Sequence, residues 1–219
     1  GVAFMGIETL KRAFSVSRES EEGFLFTDAF FDQCPFVEGI PLPQKTSEKI
    51  KGMEKRPALF LDRDGIINED FGYVGSKEKV KFIEGVFPLI QLFKEKGWWI
   101  FVITNQAGVA RRFFSEKDVV SLHKWMASEM KKRGAEVDGW FYCPFHPKGE
   151  EPLLKRKSLF RKPNPGMLLS AAEKYSIHLE KSLMIGDKLS DVISLRGLKA
   201  NLIQGVYPLD GAAVPCFQS

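Results

Sequence analysis

Residues 57–65 read Pro-Ala-Leu-Phe-Leu-Asp-Arg-Asp-Gly. Four apolar residues, Ala58 to Leu61, stop abruptly at Asp62, the pattern of a short strand buried on both faces. Working outward, 84–96 carries helical spacing and is closed by Gly97, a natural residue for the left-handed position after a helix. A second apolar strand, 99–103, ends at Thr104. Ser115 with Asp118 three residues on opens another helix in the manner of a capping box. Its Val119, Leu122, Met126 and Met130 share one face, and Gly134 ends it. A third strand is expected at 140–143. A helix follows with Pro165 in its first turn, then a fourth strand at 183–185 before Gly186-Asp187, and a fifth at 200–203. Strands alternating with helices predict an α/β fold: a Rossmann-like parallel sheet with helices on both faces. Its ligand site belongs at the carboxyl ends of the strands.

That regular pattern begins near residue 55, so the chain divides into an N-terminal extension, 1–54, and a domain, 55–219. The extension offers one or two helical turns at 6–14, a polar break, and an aromatic run at 24–31. Three prolines at 35, 41 and 43 then disfavour a long element. The extension is expected to pack on the domain or trail from it, and, with little sequence after 203 for the final helix such a domain carries, its aromatic run 24–31 is the stretch suited to filling that place. Composition narrows the class. The 32 Lys and Arg against 28 Asp and Glu leave a net charge of +4 with no dense basic block, so no nucleic-acid partner is expected. No apolar stretch is long enough to cross a bilayer, and no secretory signal opens the sequence, so no membrane association and a cytoplasmic location are expected. Cys34, Cys143 and Cys216 are widely spaced and read as free thiols. Nothing in the sequence specifies an oligomeric state.

Polar groups gather where the strands end. Asp62-Arg63-Asp64-Gly65 follows the first strand and Thr104-Asn105-Gln106 the second. Arg161-Lys162-Pro163 precedes a helix, and Gly186-Asp187-Lys188, with Asp191 one turn on, follows the fourth strand. Each piece alone reads as an ordinary turn or solvated charge. Together they supply what a magnesium-dependent phosphoryl transfer needs. Carboxylates hold a hard cation. A hydroxyl and an ammonium neutralise phosphoryl oxygens, and one carboxylate attacks phosphorus.

These residues resemble the four motifs of the haloacid dehalogenase-like hydrolases. The strings LDRDGIINEDFGYV (61–74), ITNQAGVAR (103–111), FYCPFHP (141–147), RKPNPGM (161–167) and IGDKLSD (185–191) resemble more narrowly the heptose 1,7-bisphosphate phosphatases and their histidinol-phosphatase relatives. The resemblance implies that Asp62 forms an aspartyl-phosphate and that Asp64 acts as acid and then base. It implies Mg2+ on Asp62, Asp64 (through its backbone carbonyl) and Asp187, and phosphoryl oxygens on Thr104, Asn105 and Lys162. Asp70, Phe71, Gly72, Tyr73, Gln106, Arg161 and Lys188 fall at substrate-lining positions, and Arg111 at one suited to a second phosphate, a sugar hydroxyl or simply the surface. Asp191 is implied as support rather than a ligand. The short gaps between motifs imply no large cap domain and an open site for a small phosphorylated metabolite.

The sequence departs from the branch at its structural zinc loop, Cys-x-His followed by Cys-x-Cys. Here Cys143 is followed by Phe145, and Ser158 and Phe160 stand ahead of Arg161. Cys143 and His146 are two ligands where a closed site takes four, so zinc is not expected. The basic residues at 155–157 suit either a second phosphate or solvent. His123 and His178 read as surface residues. The expected function is therefore a phosphatase acting on heptose 1,7-bisphosphate at its 7-phosphate. Histidinol phosphate or another sugar phosphate is the same-class alternative. A binding protein on the same fold, or a phosphotransferase, is the alternative from another class.

Overall fold

The computed structural model describes residues 34–38, 54–193 and 199–202. The turns expected at 6–14, the aromatic run 24–31 and Cys216 lie outside the described residues. Strands β1 (Phe36–Glu38), β2 (Ala58–Leu61), β3 (Trp99–Asn105), β4 (Gly139–Cys143), β5 (Leu183–Gly186) and β6 (Lys199–Leu202) form one sheet. Their order is β1-β4-β3-β2-β5-β6. Strands β2 to β6 pair in parallel, and β1 runs antiparallel to β4. The helices are α1 (Val86–Glu95), the single turn α2 (Ala107–Ala110), α3 (Glu116–Lys132) and α4 (Gly166–Lys174).

Side chains on a strand alternate between faces, and the two halves of the core follow that period. Ala58 and Phe60, with Phe101, Ile103, Phe141 and Cys143, face α4 through Met167, Leu168 and Ala171. Leu59 and Leu61, with Ile100, Val102, Trp140 and Tyr142, face α1 and α3 through Val86, Ile90, Val119, Leu122 and Met126. Helices thus cover both faces, which explains why the central strands read as continuous apolar runs. The capping box at Ser115 forms as expected: its hydroxyl oxygen accepts from the Asp118 N–H, and the Asp118 carboxylate accepts from the Ser115 N–H at 2.7 Å. His123 corrects the sequence reading, being fully buried on the inner face of α3. His178 is partly buried.

The chain leaves β2 toward β3 and β4 on one side and returns to β5 and β6 on the other. Strand β2 is therefore the switch point of the sheet, where such folds open a crevice at their carboxyl ends. The connections 62–85 and 144–165 lie on that rim, and neither holds a further domain.

Three residues of the N-terminal segment take part in the sheet, Phe36, Val37 and Glu38 pairing with Phe141, Trp140 and Gly139. The Tyr142 N–H extends the ladder to the Pro35 carbonyl at 3.1 Å, and Cys34 is buried in the core beyond it. Residues 36–38 thus cover the edge of β4, which would otherwise expose unpaired backbone groups. Deleting residues 1–52 is expected to lower stability by about 2 kcal/mol, a melting shift of roughly 5 °C for a chain of this size. An unchanged thermal melt would show that this pairing contributes nothing.

Candidate active site

Strand β2 delivers Asp62 to the rim, and the next residues turn sharply. Gly65 has φ +91°, and a Cβ there would lie 2.3 Å from Asp187 Oδ2. Only glycine lets the turn after β2 approach the residue after β5 this closely. Gly186 does the same for Asp191, whose carboxylate carbon would meet its Cβ at 2.3 Å. These two contacts gather Asp62, Asp187 and Asp191 so that one oxygen from each lies within 4.8 Å of the others.

Three carboxylates this close repel one another, and Lys162 offsets the repulsion. Its buried ammonium lies 2.9 Å from Asp62 Oδ1 and 2.5 Å from Asp191 Oδ1. The loop carrying it is tied to the end of β3 by two reciprocal bonds. The Lys162 N–H donates to Asn105 Oδ1 at 3.0 Å, and Asn105 Nδ2 donates to the Lys162 carbonyl at 3.2 Å. Asn105 is thus occupied in placing Lys162. The Arg63 N–H also donates to Asp62 Oδ1, at 2.7 Å, so both of these contacts with Lys162 and Arg63 fall on Oδ1 and leave Oδ2 toward the cavity. Burial pushes the Asp62 carboxyl up from 3.8 to about 6, against the pull of Lys162. Burial also raises Asp187, Lys188 opposing it.

Asp64 is held by four donors. Arg63 forks onto it, Nε to Oδ1 at 3.0 Å and Nη2 to Oδ2 at 2.9 Å. Asn68 Nδ2 donates to Oδ1 at 3.0 Å and Gln106 Nε2 to Oδ2 at 3.2 Å. Gln106 Nε2 also reaches the buried Thr104 hydroxyl at 2.8 Å.

These groups open onto a cavity of about 270 Å³. Of the residues singled out in the sequence, Asp62, Asp64, Asp70, Gly72, Tyr73, Thr104, Asn105, Gln106, Arg161, Lys162 and Lys188 line it. Three do not. Asp187 stands behind it in the carboxylate cluster. Phe71 points to solvent at 62% exposure. Arg111 stacks its guanidinium 5.8 Å from the centre of the Tyr73 ring that does line it. The Arg111 Nε is buried and has no hydrogen-bond partner. Across the mouth, Lys188 Nζ meets Asp70 Oδ2 at 2.6 Å. That contact leaves the Asp70 carboxyl below its ordinary value although burial acts the other way.

His146, Ala107, Gly108 and Ser190 also line the cavity. His146 entered the sequence reading only as a zinc candidate. Its Nδ1 accepts the Lys148 N–H at 3.0 Å, and burial followed by Arg161, Arg111 and Lys148 lowers its imidazole below the usual value. Cys143 is buried with its thiol directed at the Phe145 carbonyl, 3.8 Å away. Arg156 lies over the Phe145 ring at 4.2 Å, away from the cavity wall. The carboxylate cluster itself suits a hard divalent cation. Its donors are all oxygens, and the buried Asp187 Oδ1 has no hydrogen-bond partner.

Comparison with known proteins agrees with this geometry. A family model described as HAD-hydrolase-like matches residues 159–201. The chain is 46% identical over 138 residues to the D-glycero-alpha-D-manno-heptose-1,7-bisphosphate 7-phosphatase of Burkholderia mallei, covering 63% of this chain and 73% of that one. It is 43% identical over 136 residues to the beta-anomer enzyme of Escherichia coli, covering 62% and 71%. A HAD-like phosphatase structure from Mesorhizobium loti superposes with a TM-score of 0.66 at 34% identity, covering 69% and 74%. The D,D-heptose 1,7-bisphosphate phosphatase of B. bronchiseptica, complexed with magnesium and phosphate, gives 0.55 at 30% identity, covering 62% and 73%. The chain belongs to the haloacid dehalogenase-like hydrolases, among the heptose bisphosphate phosphatases.

Replacing Lys162 with Met removes the only buried cation between Asp62 and Asp191 among the described residues. In EDTA at pH 8 the variant is expected to lose about 3–5 kcal/mol in urea melts, as when one partner of a buried pair is removed. A carboxyl raised on folding binds its proton more tightly in the folded state, so the penalty grows as pH rises through about 6 and fades below it. A deficit that stays constant from pH 5 to pH 8 contradicts this account.

Proposed function

We propose that this chain is a magnesium-dependent phosphomonoesterase that removes the 7-phosphate of D-glycero-D-manno-heptose 1,7-bisphosphate through an aspartyl-phosphate on Asp62. The observation that carries the reading is Asp62 itself. It is a buried carboxylate at the switch point of the sheet, held on one oxygen by Lys162 and beside two further carboxylates. The cation would be held by Asp62, Asp187 and the Asp64 backbone carbonyl, and when bound it neutralises charge on the transferring phosphoryl group.

Asp62 Oδ2 attacks phosphorus in line with the ester oxygen, forming the O–P bond of the aspartyl-phosphate as the P–O bond to the sugar breaks. Asp64 gives its proton to the departing alkoxide and, as carboxylate, takes one from the water that then attacks phosphorus. That attack releases inorganic phosphate and restores Asp62. The Lys162 ammonium and the Thr104 hydroxyl offset charge on the phosphoryl oxygens throughout.

A further group of lining residues suits a second anion. Arg161, His146 and Tyr73 form it, and Arg111 stands behind Tyr73 with a free, buried Nε. A cavity lined by Lys162, Lys188 and Arg161 together holds more cations than one phosphoryl group needs, which fits a bisphosphate better than a monophosphate. Asp70 and Lys188, bonded to each other across the mouth, offer one acceptor and one donor for sugar hydroxyls. Two buried free thiols, Cys34 and Cys143, are compatible with a reducing compartment, and we place the enzyme in the cytoplasm. No helix among the described residues is long and apolar enough to cross a membrane. The domain boundary is placed near residue 55, with the segment before it supplying the edge strand.

Phosphate release is expected from heptose 1,7-bisphosphate in magnesium, to exceed that from histidinol phosphate, and to vanish with EDTA or in Asp62→Asn. Assaying both anomers identifies the preferred one. Arg161→Met, which removes the guanidinium that does line the cavity, is expected to raise KM for the bisphosphate about tenfold, the loss of one charge-assisted contact, while leaving a monophosphate analogue nearly unchanged. A folded, magnesium-loaded protein that releases phosphate from none of these esters refutes the reading.

A further inference from the structure

We propose that His123, on helix α3 and outside the cavity, is a positioning residue for the acid–base carboxyl of Asp64, acting through Arg63. This rests on the role given to Asp64 above. The argument begins with Arg63, one of the largest fully buried side chains in the molecule. A guanidinium has five N–H donors and no acceptor. Nε and Nη2 go to the two oxygens of Asp64, and Nη2 also donates to the Val74 carbonyl at 2.7 Å. Nη1 meets His123 Nε2 at 3.2 Å. Val74 closes the loop that carries Gly72 and Tyr73 into the cavity wall. One guanidinium therefore ties together the acid–base carboxyl, the substrate loop and the inner face of α3.

The bond fixes the chemistry of His123. Because Arg63 can only donate, Nε2 must accept, so the ring is neutral and its proton sits on Nδ1. That Nδ1 is buried with no hydrogen-bond partner. Complete burial, and then the charge of Arg63, hold the imidazole well below its usual value, so it stays neutral beside the cation. The ring is clamped by Trp140, stacked at 4.9 Å, and by the edge of Tyr142 at 5.7 Å. A histidine fixed by two aromatic rings and left with an unmet donor is costly to bury. What it supplies in return is an acceptor aimed at Arg63, which sets the plane of the fork on Asp64.

A guanidinium that loses this partner can turn within its pocket, and a bidentate fork transmits the turn to the carboxyl. The effect falls on proton delivery to the leaving group, so it depends on how much the leaving group needs a proton. A sugar alkoxide needs one, and p-nitrophenolate does not.

The experiment measures kcat/KM, which reports events up to release of the alcohol, for the sugar phosphate and for p-nitrophenyl phosphate. It uses the full chain in magnesium and compares the wild type with His123→Leu, His123→Gln and Asp64→Asn. Asp64→Asn is expected to cost about 100-fold on the sugar phosphate and far less on the aryl ester, the usual size of a lost general acid. His123→Leu is expected to show the same pattern at about tenfold, and His123→Gln, whose amide oxygen can accept from Arg63, to recover most of it. Equal losses on both substrates in His123→Leu, with Asp64→Asn still selective, overturn the positioning role and leave the Asp64 reading intact. An unselective Asp64→Asn overturns that reading instead, and the positioning role with it. If His123→Leu fails to fold, the tautomer of His123 in the wild-type enzyme, read from its imidazole 15N shifts, decides. Neutral Nδ1–H is expected, and neutral Nε2–H overturns the proposal.

Discussion

A buried ammonium flanked by two buried carboxylates is the contact on which the site depends. Asp62, Asp187 and Asp191 arrive from the ends of two neighbouring parallel strands, and their mutual repulsion would push the turns after β2 and β5 apart. Lys162 offsets that repulsion from the far side of β3, because Asn105 at the end of β3 holds the Lys162 backbone by both its amide atoms. Three strands and one loop are thus locked around a single charge. The apolar core beneath supplies the folding free energy but cannot specify this register of polar groups. The ion pairs do that, at the desolvation cost that buried charges always carry.

Much of this was legible in the chain. Apolar runs of four or five residues that end in Asp, Thr-Asn and Gly-Asp mark both the strands and the rim, because parallel strands covered on two faces tolerate no polar residue until they emerge. The capping box at Ser115 and the glycines after α1 and α3 located helix ends for the same local reasons. What escaped is equally physical. The edge strand Phe36–Glu38 is short, lies between prolines, and acquires its structure only from the β4 edge. His123 read as a surface residue, although it falls four positions after Val119 and three before Met126, on the face that α3 buries. Helical spacing contained that signal. The polarity of the side chain concealed it.

The roles of individual polar residues were less legible than their presence. Asn105 resembles a phosphate contact in sequence, yet both ends of its amide bind the Lys162 backbone. Arg111 lies behind Tyr73 rather than in the cavity wall, while Phe71, two residues from Tyr73, faces solvent. Sequence assigns a residue to a loop. The dihedral angles of that loop decide which way it faces. Gly72 and Tyr73 both adopt positive φ, 74° and 52°, and that turn sets the half-exposed Tyr73, not Phe71, on the cavity wall. A positive φ at a tyrosine carries a local cost that a pattern of residue types does not reveal.

The two aspartates of Asp62-Arg63-Asp64 show how one short turn separates two chemical tasks. They are two residues apart, but Asp62 looks toward the carboxylate cluster and Lys162, and Asp64 toward Arg63, Asn68 and Gln106. The residue between them does the separating. The backbone N–H of Arg63 donates to Asp62, and its side chain turns inward to grip Asp64. A nucleophile needs one oxygen anchored and the other free, which a lysine and a single N–H on Oδ1 provide. An acid–base group needs its carboxyl plane fixed while it gains and loses a proton, which a guanidinium fork provides and a point charge does not. Lysine beside the nucleophile and arginine beside the acid–base group are therefore not interchangeable here. The buried histidine that Arg63 requires is a consequence of that choice, since a fully buried guanidinium must find an acceptor for every arm.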